Sequence, residues 1–300
     1  MSSLQNLRRE RRNGGRDFVL ALRQILACAL LAGAMLGAAP GPAHAQGKLE
    51  ARYRVTLAGV QIGKGNWTVE INGTHYKAAT SGITTGLMHV LTHGEGTSAV
   101  HGTWGAGKPV SSVYASTITS RRSTDKVRVV IDDGNVKEFK ADPPPDKKKD
   151  RVPITDAQRH GVVDPLTAAL MRVSGNGKAL SPEVCERKLP IFDGRLRYDL
   201  QLAFKRMDKV KAQKGYAGPV VVCSVYFAPL GGHVPSRMTV KYIAKLRDME
   251  IWLAPIAGTR MLVPFRAQGP TPIGTAVLEA TQFVSGPLPS RAAADTPKVH

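Results

Sequence analysis

Acidic residues are scarce in this sequence. It holds 23 Asp and Glu against 42 Lys and Arg, a formal net charge of +19. Aromatic residues are scarce too, at 6%, while 30 Gly and 20 Pro interrupt the chain throughout. That balance argues against a helical bundle and for a turn-rich β protein. Beyond the N-terminus no apolar run approaches the roughly 20 residues that a membrane-spanning helix needs. Cysteine is limited to Cys28, Cys185 and Cys223. Their spacing excludes a CxxC redox motif, and so few thiols do not make a zinc site. There is no GxSxG elbow and no HExxH pair, which leaves no metal or cofactor implied.

The N-terminus carries the clearest signal. Arg8, Arg9, Arg11, Arg12, Arg16 and Arg23 form a basic start, followed by an apolar stretch from Ile25 to Ala39. Pro40, Gly41 and Pro42 then precede Ala43-His44-Ala45. This is the charged, apolar, small-x-small order of a secretory signal, so residues 1–45 are expected to be removed between Ala45 and Gln46. An uncleaved anchor is the alternative. Cys28 lies at the start of the apolar stretch, too early for a lipoprotein cleavage site. Arg11-Arg12 lies too far from Phe18-Val19-Leu20 for twin-arginine export. The expectation is the general secretory route and a periplasmic location. Removing residues 1–45 takes away six Arg with Glu10 and Asp17, so about +15 remains. A cytosolic chain this basic would suggest nucleic acid. After export the anionic partners are instead lipid headgroups, lipopolysaccharide phosphates and peptidoglycan carboxylates. An oxidising compartment also predicts a Cys185–Cys223 disulfide, with two free buried thiols as the alternative.

Period-two alternation dominates residues 46–286, which read as a single antiparallel β domain. Asn72-Gly73 divides Val60–Ile71 from Thr74–Ser81, and Asp133-Gly134 divides Val127–Ile131 from Val136–Phe139; both are hairpin signals. After Asp193-Gly194, Leu196, Tyr198, Leu200, Leu202 and Phe204 alternate with Arg195, Arg197, Asp199 and Gln201. That pattern predicts a strand buried on one face only. Val220–Phe227 reads as a central strand, and Met249–Leu253, Arg260–Arg266 and Thr275–Val284 as a C-terminal set. Asp164-Pro165 predicts a helix start, with Leu166, Ala169, Leu170 and Val173 at helical spacing and Gly175 closing it. A second helix is expected over Ser236–Arg247. Residues 141–153 form a charged, Pro-rich loop, and residues 287–300 a disordered tail.

Three near-motifs fail on their context. Gly102 to Lys108 has phosphate-loop spacing, but Pro109 replaces the magnesium-binding hydroxyl and the flanks are strand-like, so a turn is expected. Ser123 and Lys126 match an SxxK pair but lead straight into Val127-Arg128-Val129-Val130, which would point them to opposite faces. His89 and His93 sit among Gly86, Gly94 and Gly96, with His75, His101 and Glu95 nearby, and read as incidental histidines of a loop.

Tyr53 to Gly63 (YRVTLAGVQIG), Tyr76, Thr85-Gly86-Leu87, Asp164-Pro165-Leu166-Thr167, Cys185, Cys223, Ile251-Trp252-Leu253, Val263-Pro264 and Gly274 occur in an order that resembles the domain of unknown function 3108 family of bacterial envelope proteins. The resemblance covers roughly residues 50–285. It implies a curved antiparallel sheet of the lipoprotein-carrier kind, and no established activity or catalytic residue. The expected fold is therefore mainly β: a strongly bent antiparallel sheet or open barrel with one or two helices against it. The leading functional expectation is a non-enzymatic protein that holds a lipid or other apolar, anionic ligand against Tyr198, Leu200, Leu202, Phe204 and Trp252. The competing expectation for that face is an ordinary core filled by the helices. A docking or scaffold protein on cell-wall polymer or an outer-membrane assembly, and a hydrolase with a site invisible in sequence, are the other two functional classes.

Overall fold

A computed structural model describes residues 46–288 apart from 106, 147 and 176. The expected signal peptide and cleavage residue Ala45, and the tail beyond 288, lie outside the described residues. The first strands run as consecutive hairpins: β1 (Gln46–Leu57), β2 (Val60–Asn72), β3 (His75–Thr84), β4 (Glu95–Gly105), β5 (Lys108–Thr119), β6 (Thr124–Asp132) and β7 (Asn135–Asp142). The second half holds β8 (Met171–Arg172), β9 (Lys188–Phe192), β10 (Arg197–Lys211), β11 (Lys214–Gly215), β12 (Ala217–Gly231), β13 (Met249–Pro255), β14 (Met261–Thr271) and β15 (Gly274–Gly286). The turn signals act as expected. At the β6–β7 turn Asp133 and Gly134 take φ of 47° and 71°, the twist that a two-residue hairpin requires.

All the strands join one sheet, ordered β7-β6-β5-β4-β3-β2-β1-β15-β14-β13-β12-β10-β9. β15 pairs antiparallel with β1 from Lys48↔Gly286 to Leu57↔Ala276, which joins the last strand to the first. The short β8 pairs with β14, and β11 pairs with β15. The sheet is bent but not closed by strand pairing. Residues 162–163 bridge its two edges through backbone hydrogen bonds. Val162 N–H donates to Gly134 at 2.8 Å on one side, and Val163 exchanges bonds with Pro190 and Phe192 at 2.9 and 3.0 Å on the other. Phe139 of β7 meets Phe192 of β9 edge to face at 5.4 Å.

Three α-helices accompany the sheet among the described residues: α1 (Gly86–Thr92), α2 (Pro165–Ala169) and α3 (Met238–Lys245). Asp164 caps α2 by accepting from Thr167 N–H at 2.9 Å. That helix is shorter than its spacing suggested, because Met171 and Arg172 leave it to pair with Leu262 and Met261. α1 is a further correction, since its glycine-flanked sequence read as a loop.

Most buried apolar residues form one core that draws on both halves of the sheet, from Leu49, Trp67, Val69, Tyr76 and Val129 to Val220, Val222, Trp252, Val263 and Phe283. The space between the two halves is a packed core built mainly from strand residues, whereas the plainer expectation had the helices filling the apolar face; the helix Met238–Lys245 buries none of its residues. A smaller core lies on the other side of β10, β12 and β13. There Leu202, Val221, Cys223, Leu253 and Leu262 are covered by Met171, Val184 and Cys185. Cys185 and Cys223 are bridged, with Cα atoms 5.4 Å apart.

Candidate functional site

The predicted ligand residues do not form one site. Leu200, Leu202 and Phe204 pair with Phe227, Val225 and Cys223 of β12 and share their face. Cys223 pairs with Ile251, so the next residue, Trp252, points to the opposite side, where it pairs with Val222. Leu202 is fully buried beneath the disulfide-anchored turn Pro182–Cys185. Phe204 is 40% exposed. Tyr198 packs its ring 5.3 Å from Phe227, and burial pushes its phenol well above the usual range. The one-faced reading of β10 also needs correcting. Arg197 and Asp199 are buried, joined to each other at 2.5 Å, and Asp199 also meets Lys188 at 2.7 Å. Pairing satisfies these charges, which lets both faces of the strand be covered.

Trp252 is fully engaged. Arg206 and Arg266 lie against its ring at 5.3 and 4.9 Å, and its indole N–H donates to Asp208 at 2.9 Å. That hydrogen bond is the main reason the Asp208 carboxyl is held below its usual range. The ring is buried among these partners and the core, so it is not presented to a ligand.

An apolar groove does exist, at a place that the alternation pattern did not point to. α3 lines it with Met238, Thr239, Tyr242, Ile243 and Leu246, the side chains that recur on one helical face. None of the residues of α3 is buried. The helix is held at its C-terminal end by Arg247, whose guanidinium donates to the Leu246 carbonyl at 2.9 Å and lies 5.9 Å from the Tyr226 ring. Opposite α3 stand Met249 of β13 and the β14–β15 hairpin from Gly269 to Pro272, with Ala276. A Cβ at Gly269 would come within 3.1 Å of the Met249 side chain, so glycine keeps that wall low. The groove encloses about 470 Å³. Met249 pairs with Val225, which places the groove on the same side of the sheet as Leu202. The sequence marked the helix over Ser236–Arg247 but gave no signal for its partner, because the facing hairpin lies some thirty residues further along the chain.

The groove's chemistry is one-sided in charge as well. The segment Ser236–Arg247 carries Arg237, Lys241, Lys245 and Arg247 and no acidic residue. Arg237 has a distant partner in Asp146 at 3.8 Å. The arrangement offers an apolar trough with cations along the helix above it, which suits an amphipathic anion.

Two other hollows carry charged side chains among apolar ones. One, of about 650 Å³, is lined by Arg52, Arg54 and Lys64 together with Gln61, Asn66 and Gln213. The other, of about 890 Å³, lies where the β4–β5 and β6–β7 turns meet α2, and mixes Lys108, Arg172 and Arg187 with Asp133 and Glu186. Lys108 follows a turn and opens β5, so no helix N-terminus is available there for a nucleotide phosphate. Ser123 contacts Asp125 at 3.4 Å in the β5–β6 turn, while Lys126 lies within β6. His93 accepts from Arg121 Nε at 2.6 Å, with the His89 ring 4.9 Å away. Tyr76, Thr167 and Asp164 form a hydrogen-bonded chain of 2.7 and 2.6 Å. All three are buried, and the chain ties α2 to the sheet.

Compared with curated proteins and with solved structures, the chain finds no significant match in either. Residues 52–281 match the model of a family described as "Protein of unknown function (DUF3108)", and the chain belongs to that family.

Proposed function

We propose that this is an exported, non-enzymatic protein of the bacterial envelope that binds the acyl part of an anionic lipid in the groove under α3. The observation that carries the reading is the groove itself: about 470 Å³ between Met238, Tyr242, Ile243 and Leu246 on one side and Met249, Pro270 and Pro272 on the other. That volume exceeds the roughly 300 Å³ at which small-molecule sites begin. An acyl chain laid there gains about 25 cal/mol per Å² of apolar surface removed from water. Lys241 and Lys245, on the outer side of the same helix, supply positive charge for a phosphate or carboxylate head. The packed core between the two halves of the sheet leaves this outer groove as the better place for a chain.

The test is binding of a fluorescent fatty acid to the protein in the absence of vesicles, alongside native mass spectrometry of material purified without detergent. Ile243→Ser/Met249→Ser replaces one apolar side chain on each wall of the groove with a small polar one. Saturable binding that falls about tenfold or more in this variant supports the reading. No binding by the wild-type protein, or binding indifferent to those substitutions, rejects it.

A second reading is docking on cell-wall polymer. It is favoured by the hollow lined with Arg52, Arg54 and Lys64, whose amide neighbours Gln61, Asn66 and Gln213 suit a hydroxylated, carboxylate-bearing ligand. Sedimentation with purified sacculi, compared between the wild-type protein and Arg52→Gln/Lys64→Gln, decides it.

A further inference from the structure

The antiparallel order of the sheet sends alternate connections to opposite ends. The β1–β2 turn, α1, the β5–β6 turn, α3 and the β14–β15 turn all fall at one end, and the β2–β3, β4–β5, β6–β7 and β13–β14 turns at the other. The five most exposed large apolar side chains among the described residues are Met238 (76%), Ile273 (71%), Val60 (67%), Val90 (58%) and Ile118 (58%). Every one belongs to the first end. The opposite end turns on Asn72-Gly73, Gly105 to Gly107, Asp133-Gly134 and Ala257-Gly258, none of which presents a large apolar side chain.

The first end is also continuous. Pro272 of the β14–β15 turn lines the groove under α3. Thr275, just beyond that turn, accepts from Ala58 N–H in the β1–β2 turn at 3.0 Å. Ile62 accepts from Thr85 N–H at the start of α1 at 2.9 Å, and Thr92 at the end of α1 accepts from Arg121 N–H in the β5–β6 turn at 3.0 Å. The exposed apolar residues thus stand on one connected rim. Arg121, Arg122, Arg237, Lys241, Lys245 and Arg247 stand on the same rim against Glu95, Asp125 and Asp248, with Asp146 and Asp150 beside the start of α3, where Asp146 pairs with Arg237 and Arg151. Asp125 is already engaged by Arg195 at 3.0 Å.

We infer that this rim docks on the surface of an anionic phospholipid bilayer, with Val60, Ile273 and Met238 entering the headgroup region and the cations meeting lipid phosphates. Isolated apolar tips flanked by Lys and Arg fit a membrane interface, where apolar burial and charge attraction add. A protein partner of ordinary affinity would want a flatter apolar centre with a polar rim. The inference extends the groove reading, because a lipid taken from such a surface would enter the trough under α3 directly at the rim. It stands on other residues, however, since Val60, Ile273, Val90 and Ile118 do not line the groove.

The experiment is co-sedimentation of the protein, isolated from its host, with phosphatidylglycerol-containing vesicles and with pure phosphatidylcholine vesicles. Docking predicts binding to the anionic vesicles that is weakened in about 0.5 M salt, where screening is short-ranged. Arg122→Gln/Lys241→Gln/Lys245→Gln should weaken it by about a hundredfold, at roughly tenfold or less per charge. Val60→Ser/Ile273→Ser should weaken it by about tenfold or more while leaving the thermal transition and the vesicle-free fatty-acid binding unchanged. Vesicle binding indifferent to both sets of substitutions overturns the inference. So does a dimer in light scattering that the Val60→Ser/Ile273→Ser change dissolves, which would make the rim an interface between two copies. Loss of fatty-acid binding in solution with vesicle binding retained would reject the groove reading and leave the docking rim standing.

Discussion

Asp164 is fully buried, accepts from Thr167 N–H and from the Thr167 hydroxyl, and begins α2. Burial pushes its carboxyl above the ordinary value of 3.8 in spite of those hydrogen bonds. The unfolded chain therefore releases this proton at lower pH than the folded one. The stability contributed by the protonated form is complete below about pH 3.8 and is lost as pH rises through the folded value. Asp164→Asn keeps an oxygen for the cap and cannot ionise. It should melt above the wild-type protein at pH 8, with the gap closing as the pH approaches 4. Asp164→Ala loses the cap and leaves the Thr167 donors unpaired, and should be destabilised by about 1–2 kcal/mol at pH 8. Melting curves at both pH values check the pair; an Asn variant that melts lower than wild type at pH 8 would show that the carboxylate, once formed, is favoured by the fold. Gly102 offers a second residue-scale test. A Cβ there would stand 2.2 Å from the Ser111 carbonyl and 2.5 Å from the Tyr76 hydroxyl. Gly102→Ala should cost about 1–3 kcal/mol in denaturant unfolding, because neither the strand nor the buried ring can retreat.

Among elements, the turn Pro182–Cys185 owes its place to the bridge with Cys223 in β12. The two cysteines are 38 residues apart. Closing a loop of that length restricts the unfolded chain by about 4 kcal/mol in the entropy model. Cys185→Ser/Cys223→Ser should lose stability of that order in urea and expose Leu202 and Val221 to solvent, with a fold otherwise retained in the larger core. The element scale also shows what the sequence revealed. Asn72-Gly73 and Asp133-Gly134 marked their hairpins because a two-residue turn demands backbone angles that few other pairs tolerate. Asp164-Pro165 marked a helix start for similarly local reasons. The length of α2 was not legible: Leu170 and Val173 fall at helical spacing, yet Met171 and Arg172 are claimed by β14, and short apolar runs fit either period. Nor was the separation of Trp252 from Leu202 legible, since it depends on which residues of β12 and β13 stand opposite each other. A register is a property of two strands, and the alternation within one strand says only which residues share a face. The groove under α3 was hidden for the same reason. Its helical wall was readable as a stripe, but the hairpin facing it comes from elsewhere in the chain.

For the whole molecule, the proposed export makes predictions that the fold alone does not. Among the described residues β1 starts at Gln46, which pairs with Asn72, and the expected cleavage after Ala45 leaves this strand whole. The proposed export would give the Cys185–Cys223 bridge an oxidising compartment, since cytosolic thiols are kept reduced. On the same proposal the basic charge would meet anionic lipid and polymer instead of nucleic acid. These arguments predict that osmotic-shock fractionation recovers the protein with periplasmic markers, that its N-terminal sequence starts Gln46-Gly47-Lys48, and that its thiols resist alkylation until a reductant is added. A soluble form that still begins at Met1, or free thiols in freshly fractionated protein, would place the chain on the wrong side of the membrane for the lipids and polymers proposed as its ligands. Substituting Ala43 and Ala45 by large residues removes the small side chains that the peptidase requires. That variant should stay in the membrane fraction at a mass about 4–5 kDa higher, the weight of some 45 residues at roughly 110 Da each. If its fold forms normally while tethered, vesicle docking by the rim of Val60, Ile273 and Met238 can be compared between anchored and released protein, and only the released form can carry a lipid away from the bilayer it came from.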